Sequence, residues 1–433
     1  MTDERNEPIR SASRRPGQPM RVWDIQQGDC LGLLRALPEN SIDAIVTDPP
    51  YGLSPDGKAR TWDDIEDGKA HGGFMGKGWD AAVPGVTWAR ECLRVCKPGS
   101  WIVAFGGQRT IHRLICGLED AGWEIRDLGA HQQWQGFPKS LDASKAIDAH
   151  HGAEREVVGA HTLTGYAKAN VIHGQQARNV TEFPKTSNVP ATDAARKWEG
   201  YGTALKPCLE PWTLARKPLD GTVAENVLKW GTGALNIDGC RYGYGDPAWP
   251  GPGDGDTKRT SNAGTSGDGW RMGTTANING GSPLGRWPAN VYACPKASRG
   301  EREAGCGHLK GRAGFEAVER TEGSAGLGNP RAGAGRTAGE VRNHHPTVKP
   351  AALMAWLCRL VAGQPGSLIL DPFAGSGTTG IAALREGFRF LGFELDPDYI
   401  EIAEARINGD APLFNRRGDP TSAPTDRRVR ERN

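Results

Sequence analysis

The 433 residues hold 53 basic and 51 acidic side chains, a formal net charge of +2, so the chain has no global basic signature and any DNA footprint must be a local patch. Glycine is high at 60 residues and hydrophobic content low at 37%, which concentrates the core in part of the chain; one large domain with insertions and two domains both fit the length. No apolar run reaches the roughly 18 residues of a membrane span, and nine scattered cysteines without a secretory leader read as reduced thiols of a cytoplasmic protein.

Residues 1–20 are polar, with Pro and Arg, and are expected to be disordered. Val22 to Gln26 reads as a strand ending near Asp29, and Leu31, Leu33, Leu34 and Leu37 give a short helix with one apolar face. Ile42 to Val46 is an apolar run, a short buried strand, and Thr47-Asp48-Pro49-Pro50-Tyr51-Gly52 follows it. The prolines end the strand, because neither can donate to a ladder and each restricts the residue before it. The loop presents a carboxylate (Asp48), the backbone carbonyls of Asp48 and Pro49 with no neighbouring N–H to satisfy them, and the Tyr51 ring. A planar amine fits such a loop, gripped by the acceptors and stacked on the ring. From this stretch alone, a Pro-Pro turn with a chance acid and ring reads equally well. Leu53 to Asp80 is rich in Gly, Asp and Lys with little periodicity: a long loop that reads equally well as a lid or base-flipping loop beside Asp48 and as a disordered excursion.

Val83 to Val95 suits an amphipathic helix that Lys97-Pro98-Gly99 stops. Trp101 to Phe105 is a buried strand, Gln108 to Ala121 a helix, and Trp123 to Trp134 a strand. This alternation argues for a doubly wound, largely parallel α/β sheet. Asp142 caps a short helix over Ala143–Ile147, and residues 150–201 are polar and weakly periodic. Trp212 to Ala215 reads as a strand and Thr222 to Trp230 as a helix. Tyr242 to Gly285 is dense in glycine and expected to be loop, with one ordered segment at Arg286–Val291; Gly311 to Asn343 is again rich in Gly and Arg.

Order returns at His345. Ala351 to Val361 is a helix, and Leu368 to Asp371 a strand that ends in an acid. Pro372-Phe373-Ala374-Gly375-Ser376-Gly377-Thr378-Thr379-Gly380 then turns into a helix. Glycines there let the backbone approach a ligand and adopt conformations closed to other residues. Gly375, Gly377 and Gly380 fit the G-x-G-x-x-G dinucleotide fingerprint, and Glu394 ends the next strand, Phe388 to Phe393, at a ribose-binding spacing. On this motif alone an NAD-dependent oxidoreductase stays open. Pro397 to Ile407 is a helix, and the Arg-rich tail after Asn408 is polar.

Asp48-Pro49-Pro50-Tyr51 together with Asp371-Pro372-Phe373-Ala374-Gly375-Ser376-Gly377-Thr378-Thr379 resembles the S-adenosylmethionine-dependent DNA amino-methyltransferases. The catalytic motif precedes the cofactor motif, which resembles the circularly permuted β-class order. Gly28-Asp29-Cys30-Leu31 and His345-Pro346-Thr347-Val348-Lys349-Pro350 fit two further motifs of that family. The middle of the chain is similar to phage and prophage members through Gly136 to Leu141 and Leu205 to Trp212.

The resemblance implies a seven-stranded, Rossmann-like methyltransferase sheet with a long Gly-rich insertion. It implies transfer to the N6 amine of adenine in double-stranded DNA after base flipping, with N4 of cytosine as the alternative. Asp48, Pro49, Pro50 and Tyr51 would be catalytic. Asp371, Phe373, Gly375, Gly377 and Thr378 would form the cofactor turn, with the two glycines against the methionine moiety. Glu394 would take the ribose hydroxyls and Asp29 the adenine amine. Thr347 and Lys349 would lie near the methionine carboxylate. Residues 21–140 and 344–408 would be the two halves of the catalytic domain, and 141–343 an insertion for target recognition, of which about 205–230 returns to the sheet. A non-catalytic DNA-binding protein would explain the Arg-rich loops but not two strand-end motifs. Cys294, Cys306 and His308 form Cys-x11-Cys-x-His without a Cys-x-x-Cys pair, so no metal site is expected. The recognition sequence, a partner restriction endonuclease and the oligomeric state stay open.

Overall fold

The structure is a computed structural model that describes residues 22–52, 59–64, 80–134, 140–162, 182–243, 246, 286–313 and 340–410. The N-terminal stretch expected to be disordered, most of the loop beside Asp48, Gly136–Lys139, most of the Gly-dense insertion and the Arg-rich tail lie outside them.

The chain opens with β1 (Trp23–Gln27), α1 (Cys30–Ala36) and β2 (Ile42–Thr47), followed by α2 (Val86–Val95), β3 (Cys96–Phe105), α3 (Ile111–Asp120) and β4 (Glu124–Gln132). Next come α4 (Ala143–His150), the hairpin β5 (Val157–Thr162) and β6 (Glu182–Thr186), α5 (Asp193–Arg196), β7 (Leu209–Arg216) and α6 (Val223–Trp230). Then β8 (Val291–Ala293) and α7 (Arg299–Glu303) precede the short pair β9 (Arg312–Ala313) and β10 (Glu340–Val341). The last part holds α8 (Ala351–Val361), β11 (Leu368–Asp371), α9 (Thr378–Arg385), β12 (Arg389–Glu394) and α10 (Pro397–Asp410).

Eight strands form one sheet in the order β1-β12-β11-β2-β3-β7-β4-β8. From β1 to β3 every pairing is parallel, β7 runs antiparallel between β3 and β4, and β8 lies parallel to β4. The seven strands expected for the family are all there. The eighth, β8, extends the edge beyond β4. Three residues are too few to show a period in sequence, and β8 is defined only by its pairing with Ala130, His131 and Gln132.

The central strands read as continuous apolar runs because both faces of the sheet are covered. On β3, Trp101, Val103 and Phe105 join the core that includes Leu353, Leu357 and Leu360 of α8, whereas Ile102 and Ala104 face Trp88, Cys92 and Leu114 of α2 and α3. The strand also starts earlier than its apolar run. Its register with β2 jumps from Cys96 to Trp101, so Lys97-Pro98-Gly99 both ends the helix and forms a bulge. Gly99, at φ +76°, turns its N–H to the carbonyls of Lys217 and Pro218. Two helices begin later than their apolar patterns suggest. Gly85 occupies the cap of α2, and Thr110 that of α3.

The chain divides into two compact units. One comprises 1–133, 209–310 and 342–433, and holds the eight-stranded sheet. The other comprises 134–208 and 311–341, with α4, the β5–β6 hairpin, α5 and the β9–β10 pair. In the second unit the buried Asp148 accepts from Arg155 Nε at 2.7 Å and from Thr192 Oγ1 at 2.8 Å, and a charge so placed needs such donors. Among the described residues, no helix is long and apolar enough to cross a membrane.

Gly129 on β4 lies opposite Trp212 of β7, and a Cβ there would sit 2.0 Å from the buried indole. Gly129→Ala should therefore lower stability by about 1–3 kcal/mol through overpacking. Urea unfolding of the two proteins measures it, and equal midpoints would refute the contact.

Candidate active site

In the sheet, the chain runs outward from β2 to β3 on one side and from β11 to β12 on the other. The boundary between β2 and β11 is the switch point at whose carboxyl edge open α/β sheets bind ligands. Asp48 follows β2 there and Asp371 ends β11. The two strand ends are tied directly: Thr47 Oγ1 donates to Asp371 Oδ1 at 2.7 Å. Asp371 also accepts from Thr379 Oγ1 at 2.5 Å and from the Phe373 N–H at 3.0 Å. This acid is therefore a brace that fixes the Gly-rich turn against β2.

The Asp48–Tyr51 loop is held from two sides. Buried Asp80 accepts from the N–H groups of Tyr51 at 2.6 Å and Gly52 at 3.1 Å. Thr110 Oγ1 donates to the Tyr51 carbonyl at 2.5 Å, so the cap residue of α3 makes no side-chain cap bond to its own helix. A local rule is given up to position the loop.

Lys349 reaches into this loop. Its Nζ donates to Asp48 Oδ2 at 2.7 Å and to the Tyr51 hydroxyl at 2.9 Å, and lies 3.4 Å from Glu210 Oε2. It also stands 4.8 Å from the centre of the Phe105 ring. Burial would lower its pKa, but Asp48, Tyr51 and Glu210 hold the ammonium well above the ordinary lysine value. Burial and the Asp48 charge push the Tyr51 phenol up, so it stays a neutral hydroxyl. Glu210 also faces Lys296 at 3.2 Å and His131 Nδ1 at 3.8 Å. Burial would raise its carboxyl, yet Lys349, His131 and Lys296 hold it well below the usual range. The remaining oxygen, Asp48 Oδ1, is buried and has no hydrogen-bond partner among the described residues. Buried acceptors are almost always satisfied, so this oxygen keeps capacity for a further donor.

Beside this pocket, Gly375 and Gly377 adopt φ +50° and +76°, which favours glycine. A Cβ at Gly375 would meet His345 Nε2 at 2.7 Å, and one at Gly377 would meet Ala403. Burial pushes His345 down to about 3, so it packs there as a neutral ring, linked through Nδ1 to the Thr347 backbone. Buried Arg406 donates to the Ser376 carbonyl at 2.6 Å and to Thr378 Oγ1 at 2.9 Å, bracing the same turn. Glu394 accepts from the N–H groups of Gly375 at 2.8 Å and Asp396 at 2.9 Å. A carboxylate has about four lone-pair sites, so capacity remains for further donors. Asp29 accepts from the Gly32 N–H at 3.0 Å as the cap of α1.

The structure thus gathers Asp48, Tyr51 and Lys349 at one point, and Asp371, Phe373, Gly375, Gly377, Thr378 and Glu394 along one turn. Phe373 packs edge-on to Trp62, with ring centroids 5.7 Å apart. Thr347 is exposed. Glu210, Asp80, Thr110 and Arg406 were not singled out from the sequence. Only Glu210 carried a signal, as part of the Leu205–Trp212 stretch. The donor set suits a nucleoside cofactor: acids after neighbouring strands β1, β12 and β11, and a Gly-rich helix start between them. Among the described residues, no group of three or more His, Cys, Asp or Glu is placed to hold a metal ion.

Residues 42–150 and 255–405 match the profile of the N6/N4 DNA methylase family, more than half of the chain. The chain belongs to this family. One stretch of 65 residues is 43% identical to the DNA adenine methyltransferase YhdJ of Escherichia coli K12, covering 15% of this chain and 22% of that protein. A stretch of 66 residues is 44% identical to the type II methyltransferase M2.DpnII of Streptococcus pneumoniae, covering 15% and 24%. The matches thus span less than a quarter of either relative. Among solved structures, the cytosine-N4-specific PvuII DNA methyltransferase aligns over 90% of this chain and 89% of its own, with a TM-score of 0.42 and 15% identity.

Asp371 generates a pH prediction. Burial pushes its carboxyl up to about 6 from the ordinary 3.8, against the pull of Thr379, Thr47 and the Phe373 N–H. Between these values the folded state keeps a proton that the unfolded chain has lost. Stability from this group is therefore present at the acid end and declines as pH rises through that window, by about 1.4 kcal/mol per pKa unit at most. Asp371→Asn should flatten that decline. Thermal unfolding across pH 4 to 7 reads it, and a variant curve parallel to the wild type's would overturn the assignment.

Proposed function

We propose that the protein transfers a methyl group from S-adenosylmethionine to the exocyclic N6 of adenine in double-stranded DNA, after the base is flipped out of the helix. The observation that carries this reading is the buried, unpartnered Asp48 Oδ1 beside Tyr51. An exocyclic amine is a poor nucleophile, because its lone pair is delocalised into the ring. Asp48 and the Pro49 carbonyl accept its two N–H groups and favour the tetrahedral nitrogen of the transition state. Pro50 stiffens the loop. Tyr51, fixed through its hydroxyl by Lys349, offers its ring to the extruded base.

When bound, S-adenosylmethionine supplies a methyl group on a sulfonium. Glu394 takes the ribose hydroxyls with its remaining lone pairs, Asp29 accepts from the adenine amine of the cofactor, and Gly375 and Gly377 present backbone to the methionine moiety. Thr347 lies toward the carboxylate end. Lys349, assigned to that end from the family pattern, has its ammonium on Asp48 in the structure. The residues of 141–343 outside about 205–230 are proposed to read the target sequence. Nine free cysteines fit a reducing compartment, the cytoplasm.

Adenine is preferred over cytosine because Asp, rather than Ser, opens the catalytic motif, and because one relative at 43% identity is named an adenine methyltransferase. Unmethylated DNA treated with protein and S-adenosylmethionine, digested to nucleosides and analysed by mass spectrometry, should yield N6-methyladenine. N4-methylcytosine without methyladenine would overturn the base assignment. Asp48→Asn should slow transfer by roughly 100- to 1,000-fold while calorimetry finds cofactor affinity unchanged. Retained turnover would remove Asp48 from the mechanism.

A further inference from the structure

Glu210 has no place in the reading above, yet it is the second carboxylate on the Lys349 ammonium, 3.4 Å from Nζ against 2.7 Å for Asp48. We propose that Glu210 is a positioning residue for methyl transfer: through Lys349 it keeps Asp48 aligned on the target amine and keeps the site negative while that amine becomes cationic. The inference rests on the methyltransferase reading of the site.

The argument is one of charge. As the methyl moves, its bond to sulfur breaks with the electron pair staying on sulfur, and a bond to the amine nitrogen forms. A unit positive charge thereby arrives on that nitrogen, and the surplus N–H proton then passes to water. Asp48 and Lys349 alone make a neutral pair, whose cation would oppose the new charge. With Glu210 the three groups, a buried ammonium and two partly buried carboxylates, carry a net single negative charge. Lys296 also faces Glu210, but its side chain is half exposed and screened by solvent.

The geometry agrees. Lys349 has three N–H donors, and Asp48 and Tyr51 of the loop after β2 and Glu210 of β7 face them from two segments of the chain. That arrangement confines the ammonium to Asp48 Oδ2 and leaves Oδ1 for the substrate. Glu210 itself is seated from its far side: Lys296 approaches Oε1, and His131, whose Nε2 bonds the Cys294 carbonyl at 2.9 Å, stands near Oε2. Its carboxyl stays ionised, as described above, so it acts by charge and not as a proton acceptor.

The test uses the full chain, unmethylated DNA and radiolabelled S-adenosylmethionine. Glu210→Gln keeps shape and removes charge. Its single-turnover rate should fall by roughly tenfold or more, as expected for an interaction strengthened only in the transition state. Cofactor affinity by calorimetry, KM for DNA and the thermal midpoint should stay near wild type, and Glu210→Asp should recover part of the rate. In a Lys349→Met background, where the link from Glu210 to Asp48 is gone, the same Glu210→Gln change should cost less than about threefold. A Glu210→Gln enzyme at wild-type rate overturns the proposal. So does a loss that follows cofactor affinity or thermal stability, or one of equal size in both backgrounds. A wild-type protein that incorporates no methyl into DNA sinks the methyltransferase reading first, and this proposal with it.

Discussion

A buried ammonium is the constraint that the site depends on. Lysine is almost never buried unless paired, and Lys349 is only 7% exposed. Its partners come from the loop after β2, from the start of β7, and from nothing closer in sequence. Losing both of its carboxylate partners would leave an uncompensated charge and cost roughly 3–5 kcal/mol. The cluster therefore fixes the segment before α8 and the N-terminal end of β7 relative to the Asp-Pro-Pro-Tyr loop. The antiparallel strand is thus more than a filler between β3 and β4. It delivers Glu210 to the carboxyl edge of the parallel strands, which only a strand running the other way could do at its beginning.

Around that cluster the two chemical motifs are held by groups that serve the site at the expense of local preference. Thr110 caps the Tyr51 carbonyl and not its own helix. Asp371 is kept buried, with hydroxyls of Thr47 and Thr379 as donors, at the point where β2 and β11 meet. Arg406 is buried at 1% exposure to tie Ser376 and Thr378. Local rules broken with a compensating contact are expected where geometry has to be preorganised. Here the compensation always runs toward the loop after β2 or the turn after β11.

Charge also explains how the two motifs divide the work. At the Gly-rich turn, Asp371 and Glu394 accept backbone N–H groups and hold the turn against the strand ends. At the Asp48 loop, the carboxylate is left with an unpartnered oxygen and a neighbouring cation. Both arrangements keep acceptor capacity, at Glu394 beyond its two backbone bonds and at Asp48 in an oxygen with no partner among the described residues.

Much of the fold was legible from the residues. The central strands announce themselves as apolar runs because both sheet faces are buried, α8 by its apolar surface, and the ends of β2 and β11 by Pro and Gly, which constrain backbone whatever surrounds them. The two motifs and their order follow from the same local chemistry. What the chain order could not reveal is who meets whom. The short β8 exists only through its pairing with β4. Lys349 reads as a cofactor contact beside its own motif, yet its ammonium meets a carboxylate 301 residues away. Asp80 and Arg406 have no periodicity or motif of their own, and Glu210 has only the Leu205–Trp212 stretch around it. Their roles arise from the desolvation that burial imposes and from partners that only the folded sheet brings within hydrogen-bond reach. Backbone restraint is written residue by residue, whereas the pairing of buried charge is decided by tertiary structure, because burial itself is.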